Sequence, residues 1–533
     1  MNKYINIFFS LFIVGSLFTS CDLDRLPESD IAEPEAMITM ADAQNWDNGL
    51  FAYFRGRQYG VFTFYQDVQA DQLNAVSGFG NRSGTAHNWV FVSTDGTLSS
   101  LWSAYYRAIA NANHIIATNR NLVETRAYVS YRLATQELND AATVANRAAL
   151  DQFLGNAHFV RAFYYSQLAL RWSEESFNPA TAATALSVPI VTEFDVTYRP
   201  ERATLQQVYN FILEDIAEAR RLLAHVPLGN TTPRATRFNS NVVNALEARV
   251  ALYMQNWTRA YELANSLIVS GRYPLETTVG GMKNLWLHDN SNEVIMQSHI
   301  AAPLELPSAM GFFTNNHIYV GFDAVNNQFR PDFLPSQWVI DMFEGTSSDT
   351  IDIRRPIYFT MGTVNAGGVI ADSIYVISKF RGNPAITGSQ ISNPGVGQAS
   401  ANAQAPKAFR IAEMYLIAAE AAFRLGNEAN ALTALNTLRT ARGLSAVTAS
   451  GDALFQEIKD ERFRELAFEG FRLFDLRRWG LGFERREPQN TTIIPLGDVF
   501  ERLSISADNY RFVWGIPDND VMINRNIVQN RGW

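Results

Sequence analysis

An internal repeat constrains this chain more than any other feature. Ala248–Leu267 and Ala419–Leu438 align at a constant offset, so that Leu252, Asn256, Ala260 and Leu267 stand where Phe423, Asn427, Ala431 and Leu438 stand. In each copy an apolar helical stripe runs into a short turn, Met254-Gln255-Asn256 or Leu425-Gly426-Asn427, and a second stripe opens with small alanines. Asn and Gly end helices because they adopt loop and left-handed conformations at low cost. Small residues at those positions let two helices lie close together, as in tetratricopeptide hairpins. The repeat predicts a mainly α-helical scaffold built from helix pairs.

Other windows carry the same period. Leu101-Trp102, Tyr105-Tyr106, Ile109, Ala112 and Ile115-Ile116 form one stripe. Phe159, Phe163, Leu168 and Trp172 belong to a second, and Val208, Ile212, Ile216 and Leu222-Leu223 to a third. Recurrence at three and four residues marks the buried face of a helix. On this pattern Trp102, Trp172, Trp257 and Trp286 are core residues. Between the helical blocks, residues 56–98 and 274–395 read as loop-rich insertions with a few short strands (Val294-Ile295-Met296, Ile374–Ile377), and 382–406 as a long surface loop. No composition break separates independent domains.

With 47% hydrophobic and 12% aromatic residues, the 533-residue chain is rich enough in apolar side chains to build a core. Its 44 Lys and Arg against 53 Asp and Glu give a net charge of −9, the wrong sign for a nucleic-acid partner. The single cysteine, Cys21, excludes intrachain disulfides and cysteine-cluster metal sites.

That cysteine sits at the end of an address. Lys3 and an apolar run from Ile5 to Phe18 precede Thr19-Ser20-Cys21. The run is too short to span a bilayer comfortably and is flanked as a secretory signal peptide is. Leu17-Phe18-Thr19-Ser20-Cys21 resembles the lipobox of bacterial lipoproteins, although Phe18 stands where a small residue is usual. The resemblance predicts a signal peptide over 1–20, lipidation at Cys21 and a mature chain from residue 21 held on a membrane by several acyl chains.

Catalytic motifs are missing. The chain's 7 histidines never pair at the spacing of a helical zinc site, and neither HExxH nor GxSxG occurs. Gly78–Gly84 lacks the Lys-Ser/Thr end of a phosphate loop. No catalytic residue, metal ligand or cofactor is assigned. The densest cluster of charges is Lys459–Gly480, where Glu461 and Arg464, Arg462 and Glu465, Arg472 and Asp475, and Asp475 and Arg478 are spaced to meet on one helix face. It is expected to be a structural ion-pair network. The alternative, an acid pair such as Glu461 and Glu465 in an anchored glycoside hydrolase, stays open on sequence grounds.

The same segment resembles the C-terminal signature of the SusD/RagB family of outer-membrane nutrient-binding lipoproteins. Arg462, Glu465, Leu466, Glu469, Gly470, Arg472, Asp475, Leu476, Arg477, Arg478 and Trp479 stand at its positions. Phe159–Trp172, Asn241–Leu275, Arg410–Gly443 and the ending from Ile516-Pro517 to Gly532-Trp533 agree in order along the chain. The resemblance implies a SusD-like fold, with helix pairs supporting a more irregular binding half. It implies a single domain over 21–533, with an N-terminal part over about 21–225 and a C-terminal part over about 226–533. It further implies a cell-surface lipoprotein of the outer membrane that binds oligosaccharides, or in some cases peptides, without catalysis. Its partner would be a SusC-like TonB-dependent transporter, over which it would act as a hinged lid.

Sugar capture needs aromatic platforms beside hydrogen-bonding side chains. Two loops have that composition. The first offers Asp67, Asp71, Asn81, Arg82, Asn88 and Trp89. The second offers Phe312, Phe313, Asn315, Asn316 and Tyr319, followed by Phe322, Phe329 and Trp338. From these, Asp71, Asn81, Arg82, Asn88, Trp89, Phe312, Phe313, Asn316, Tyr319 and Trp338 are the expected ligand contacts. On this reading Trp89→Ala weakens binding and leaves the melting temperature nearly unchanged.

Overall fold

Numbered in chain order, the helices of seven residues or more among the described residues are α1 (Met40–Gly56), α2 (Val61–Gln69), α3 (Gly96–Glu124), α4 (Ala141–Trp172), α5 (Leu205–Leu222) and α6 (Ser240–Tyr253). They continue with α7 (Trp257–Val269), α8 (Val279–Leu287), α9 (Ile411–Arg424), α10 (Glu428–Ala441), α11 (Gly451–Leu466) and α12 (Arg472–Arg478). The computed structural model describes residues 40–124, 141–193, 195, 197–228, 235–301, 305, 320–323, 325–343, 352–387 and 404–533. Cys21 and its leader lie outside the described residues, as do Phe312, Phe313, Asn315, Asn316 and Tyr319.

The repeat is reproduced bond for bond. In α6–α7 and in α9–α10 the turn closes with Gln255 N donating to Leu252 O at 3.1 Å and Gly426 N to Phe423 O at 2.9 Å. Asn256 N and Asn427 N then donate to Ala251 O and Ala422 O, both at 2.9 Å. Gln255 and Gly426 share a left-handed backbone, at φ 57° and 76°. The Asn256 and Asn427 side chains cap the second helices, accepting from Arg259 N at 3.2 Å and Asn430 N at 3.0 Å. An Asn at this place satisfies a backbone donor that the helix start leaves unpaired.

These pairs stack on one another. Helix α4 packs between α3 and α5, α7 lies against both α6 and α9, and α9 also meets α10 and α11. A capping box starts α5, with Thr204 and Gln207 bonding reciprocally. The predicted stripes face inward, with Trp102, Trp172 and Trp286 buried and Trp257 half-buried against the core. Trp172 is fully enclosed, edge-on to Trp102 at 5.1 Å and to Trp514 at 5.4 Å. Asn530 Nδ2 donates to Trp172 O and Trp514 O, which fastens the C-terminal tail to α4.

Among the described residues strands are few and mostly short; eight are numbered β1 to β8 here, and Phe483–Glu484 pairs antiparallel with Ser504–Ile505. Leu73–Ala75 (β1) pairs antiparallel with Phe333–Pro335 (β5), and Val294–Gln297 (β2) with Lys407–Arg410 (β8). Val320–Asp323 (β3), Gln328–Pro331 (β4), Phe359–Ala366 (β6) and Val369–Ile377 (β7) form a sheet in the order β3-β4-β6-β7, parallel between β4 and β6. Its inner face has a small core of its own around Phe329, Val364 and Ile374. Among the described residues no helix is long and apolar enough to cross a membrane.

Candidate functional site

The β1–β5 ribbon decides where the expected ligand residues go. Because Leu73 pairs with Pro335 and Ser336 N donates to Gln72 O at 3.0 Å, Asp71 and Trp338 meet at one end. Trp338 Nε1 points at Asp71 O, 3.4 Å away. At the other end, Val76 N donates to Asp332 O, and the exposed Arg82 makes a two-pronged ion pair with the buried Asp332. Asn81 stands beside it, exposed, with a left-handed backbone at φ 56°. Asn88 is half-buried and bonded to His87 Nδ1 at 2.9 Å.

Trp89 corrects the expectation made for it. Only 4% of its surface is exposed. Its ring is edge-on to Phe512 at 4.9 Å, Phe483 at 5.5 Å and Phe91 at 6.2 Å, and Nε1 donates to Gln69 O at 2.7 Å. A backbone at φ 55° turns it inward, a conformation that a bulky residue keeps only where its surroundings enforce it. An enclosed ring offers no face to a sugar. Phe329 is likewise core.

Asp71 and Trp338 instead line a cleft of about 760 Å³, within the usual range for small-ligand sites. Trp338 packs on Phe463 from α11 at 4.8 Å, and Trp479 forms part of the same wall. The Arg486 guanidinium lies 4.8 Å from the Trp338 ring centre. Arg472 of α12 forks onto Asp71 at 2.7 and 2.9 Å, so this carboxylate is fixed in place. Burial opposes the Arg472 charge, and Asp71 more than offsets it, holding the guanidinium above its ordinary range. Asp341, Gln456, Lys459, Asp460 and Glu484 add donors and acceptors around the walls. Half-buried aromatic surface beside charged hydrogen-bonding groups is the chemistry that a hydroxylated ligand needs. Phe463, Trp479 and Arg486 were not among the expected contacts. They meet Trp338 only through the tertiary fold.

The signature segment forms the expected ion-pair network, and it lies in the interior. Glu465 accepts from Arg354 at 3.0 Å, Arg410 at 2.6 Å and Arg442 at 2.8 Å, and all four side chains are at most 1% exposed. The spaced pairs Glu461–Arg464 and Asp475–Arg478 form at 3.0 and 2.8 Å. Arg462 turns instead to Asp475 at 2.7 Å, and Arg478 also forks onto Glu420. Burial alone would raise the Glu465 pKa, yet Arg442, Arg410 and Arg354 hold it well below the carboxylate range. Glu461 is lowered likewise, against burial, by Arg354, Arg464 and Arg439. An acid catalyst requires the opposite shift. Gly470, at φ 80°, ends the turn between α11 and α12 because a Cβ there would lie 2.9 Å from Thr63 O. Its N–H donates to Asp67 Oδ2 at 2.9 Å, so Asp67 is a buried structural group. Among the described residues no cluster of His, Cys, Asp and Glu is arranged to hold a metal.

The fold matches known structures over nearly its whole length. A SusD superfamily protein from Bacteroides thetaiotaomicron superposes with a TM-score of 0.70 at 22% identity, covering 92% of this chain and 99% of that one. A structure described as a laminarin-binding SusD-like protein gives 0.62 at 19% identity, over 92% and 99%. In sequence, SusD-like protein P38 of Formosa agariphila is 24% identical over 529 residues, 92% of this chain and 94% of the relative. The starch-binding protein SusD of Bacteroides thetaiotaomicron is 34% identical over 129 residues, 24% of this chain and 21% of that protein. Residues 23–252 match the family described as starch-binding and associating with the outer membrane, and residues 361–533 match the SusD family. With both matches in order on one SusD-like fold, the chain belongs to the SusD family.

Proposed function

We propose that this protein is a cell-surface lipoprotein, anchored at Cys21, that captures oligosaccharides in the Asp71–Trp338 cleft. It passes them to a SusC-like TonB-dependent outer-membrane transporter, over which it closes as a hinged lid. The observation that carries the reading is the cleft, where aromatic surface, a fixed carboxylate and an exposed guanidinium converge in a volume of about 760 Å³. Starch and laminarin binding by relatives supports a glycan as the ligand. The match to a family that associates with the outer membrane supports the location. Capture without catalysis accords with guanidiniums clamping the signature carboxylates. A single domain over 21–533 is supported by the Asp71–Arg472 pair and the β1–β5 ribbon, which link its N-terminal and C-terminal parts.

The test is calorimetric titration of the protein with panels of plant, host and microbial oligosaccharides and of peptides, followed by a search for cleavage products. Binding of a glycan without cleavage is expected. Peptide binding alone would replace the ligand class, and cleavage would replace capture with hydrolysis.

A further inference from the structure

A second groove, of about 510 Å³, runs along one face of α1 and shares no wall residue with the cleft. Gln44, Asp47, Asn48, Phe51, Ala52 and Arg55, recurring at helical spacing, form that face. The remaining walls come from α4, from the residues entering α6 and from those leaving β2. The volume suits a small ligand.

Asp47 is the odd residue on this face. It sits in the buried stripe Ala43, Asp47, Leu50 and Phe54, where packing alone calls for an apolar side chain. Its Oδ1 accepts from Asn156 Nδ2 at 2.9 Å. Its Oδ2 has no donor among the described residues and keeps accessible surface on the groove. Burial raises the Asp47 pKa to about 7 against the Asn156 bond and the Arg237 charge, so the fold leaves this carboxylate under-compensated. Arg237, on the wall that enters α6, is exposed and has no ion pair, hydrogen bond or ring contact among the described residues. Its charge reaches Asp47 without the two groups pairing. The other charged pair on the walls is closed, Arg55 meeting Glu305 at 2.8 Å. The groove therefore offers one carboxylate oxygen and one guanidinium that no described group neutralises, beside the rings of Phe51 and Phe153.

We propose that this groove binds a zwitterion, a free amino acid or short peptide, with its ammonium group on Asp47 Oδ2 and its carboxylate on Arg237. A carboxylate buried this far needs a positive partner, and an ammonium group matches its one free oxygen. Among the described residues no second acid joins it to hold a metal. The guanidinium can fork onto the ligand's carboxylate. Phe51 and Phe153 take an apolar side chain, and Gln152 and Thr236 add hydrogen-bonding groups. A neutral sugar would leave both charges unpaired.

The test is calorimetric titration at pH 8 with leucine and leucyl-leucine, each also in its N-acetylated and its C-amidated form. Saturable binding of leucine or leucyl-leucine is expected, weakened about tenfold or more by either blocking group. The tighter of the two shows whether the guest is a free amino acid or a peptide. Asp47→Asn keeps the Asn156 bond and should erase the difference between free and acetylated forms. Arg237→Gln alters an exposed residue that pairs with nothing described, so it leaves the fold intact; it should erase the difference between free and amidated forms. A crystal grown with the tighter ligand should show it along α1, its ammonium group within hydrogen-bond reach of Asp47 Oδ2. No binding of either probe at millimolar concentration, binding that the blocking groups leave unchanged, or a ligand seated in the Asp71–Trp338 cleft would overturn the proposal.

Discussion

Arg442 Nε donates to Glu465 Oε2 at 2.8 Å with both side chains fully buried, and this contact anchors the ion-pair network of the signature. Removing the carboxylate leaves Arg354, Arg410 and Arg442 short of negative charge in the interior. Glu465→Ala is therefore expected to cost roughly 3–5 kcal/mol in chemical denaturation, the penalty of breaking a buried pair from one side. Acid should act on the same contact. A carboxylate whose folded pKa is depressed contributes stability above its unfolded pKa of 4.5 and loses it as pH falls further. Wild-type unfolding free energy should drop steeply below about pH 4.5, and less steeply in Glu465→Ala. Equal slopes would count against the network.

Trp89 belongs to the core, so its truncation should be felt in stability first. Trp89→Ala removes a ring packed against Phe91, Phe483 and Phe512 and is expected to cost about 3–5 kcal/mol. A thermal melt checks this. A melting temperature within a degree of wild type would restore Trp89 as a surface platform.

What could be read in advance was what repeats. The helix pairs follow from periodic stripes and from turn residues, and Asn256 and Asn427 cap as their places suggest. Within the signature, spacing found Glu461–Arg464 and Asp475–Arg478, which are local. It could not find Arg354, Arg410 or Arg442, which reach Glu465 from other elements and carry the network into the interior. Composition flagged the loop of Trp89 correctly as aromatic and polar, but it carries no sign of which ring turns inward. Asp71 and Trp338 were picked from separate loops. That they share a cleft with Phe463 and Arg486 follows from the β1–β5 register, which composition does not encode.

The cleft has its own variants. Arg486 is exposed and its guanidinium rests on Trp338, so Arg486→Ala should change stability by less than about 0.5 kcal/mol while weakening glycan binding. Trp338→Ala removes the central aromatic surface and is expected to weaken binding at least about tenfold. Calorimetry with the best glycan reads both, and unchanged affinity in both variants would move the site elsewhere on the protein.

The matching turns predict matching losses. Asn256→Ala and Asn427→Ala each remove one side-chain cap of the same geometry, so each should lower stability by about 1 kcal/mol. Denaturant midpoints compare them directly. A loss in one variant and none in the other would show that the two caps are equivalent in shape only.

Asp47 works against the network as pH rises. It lies on the buried face of α1, 3% exposed, with Asn156 Nδ2 donating to it at 2.9 Å, and burial raises its pKa to about 7. Its folded pKa exceeds the unfolded value of 3.8, so the folded state holds the proton more tightly and stability falls between about pH 4 and 7. Asp67, raised to about 8 by burial, adds a decline of the same sign that extends further. An asparagine at position 47 can still accept from Asn156 and never ionises. Asp47→Asn should therefore raise stability at pH 8 by on the order of 1–3 kcal/mol and leave it nearly unchanged at pH 4. The decline between pH 5 and 7 should shrink but not vanish, because Asp67 still titrates. A variant that is no more stable than wild type at pH 8 would mean that the Asp47 carboxylate is accommodated as an anion in the fold.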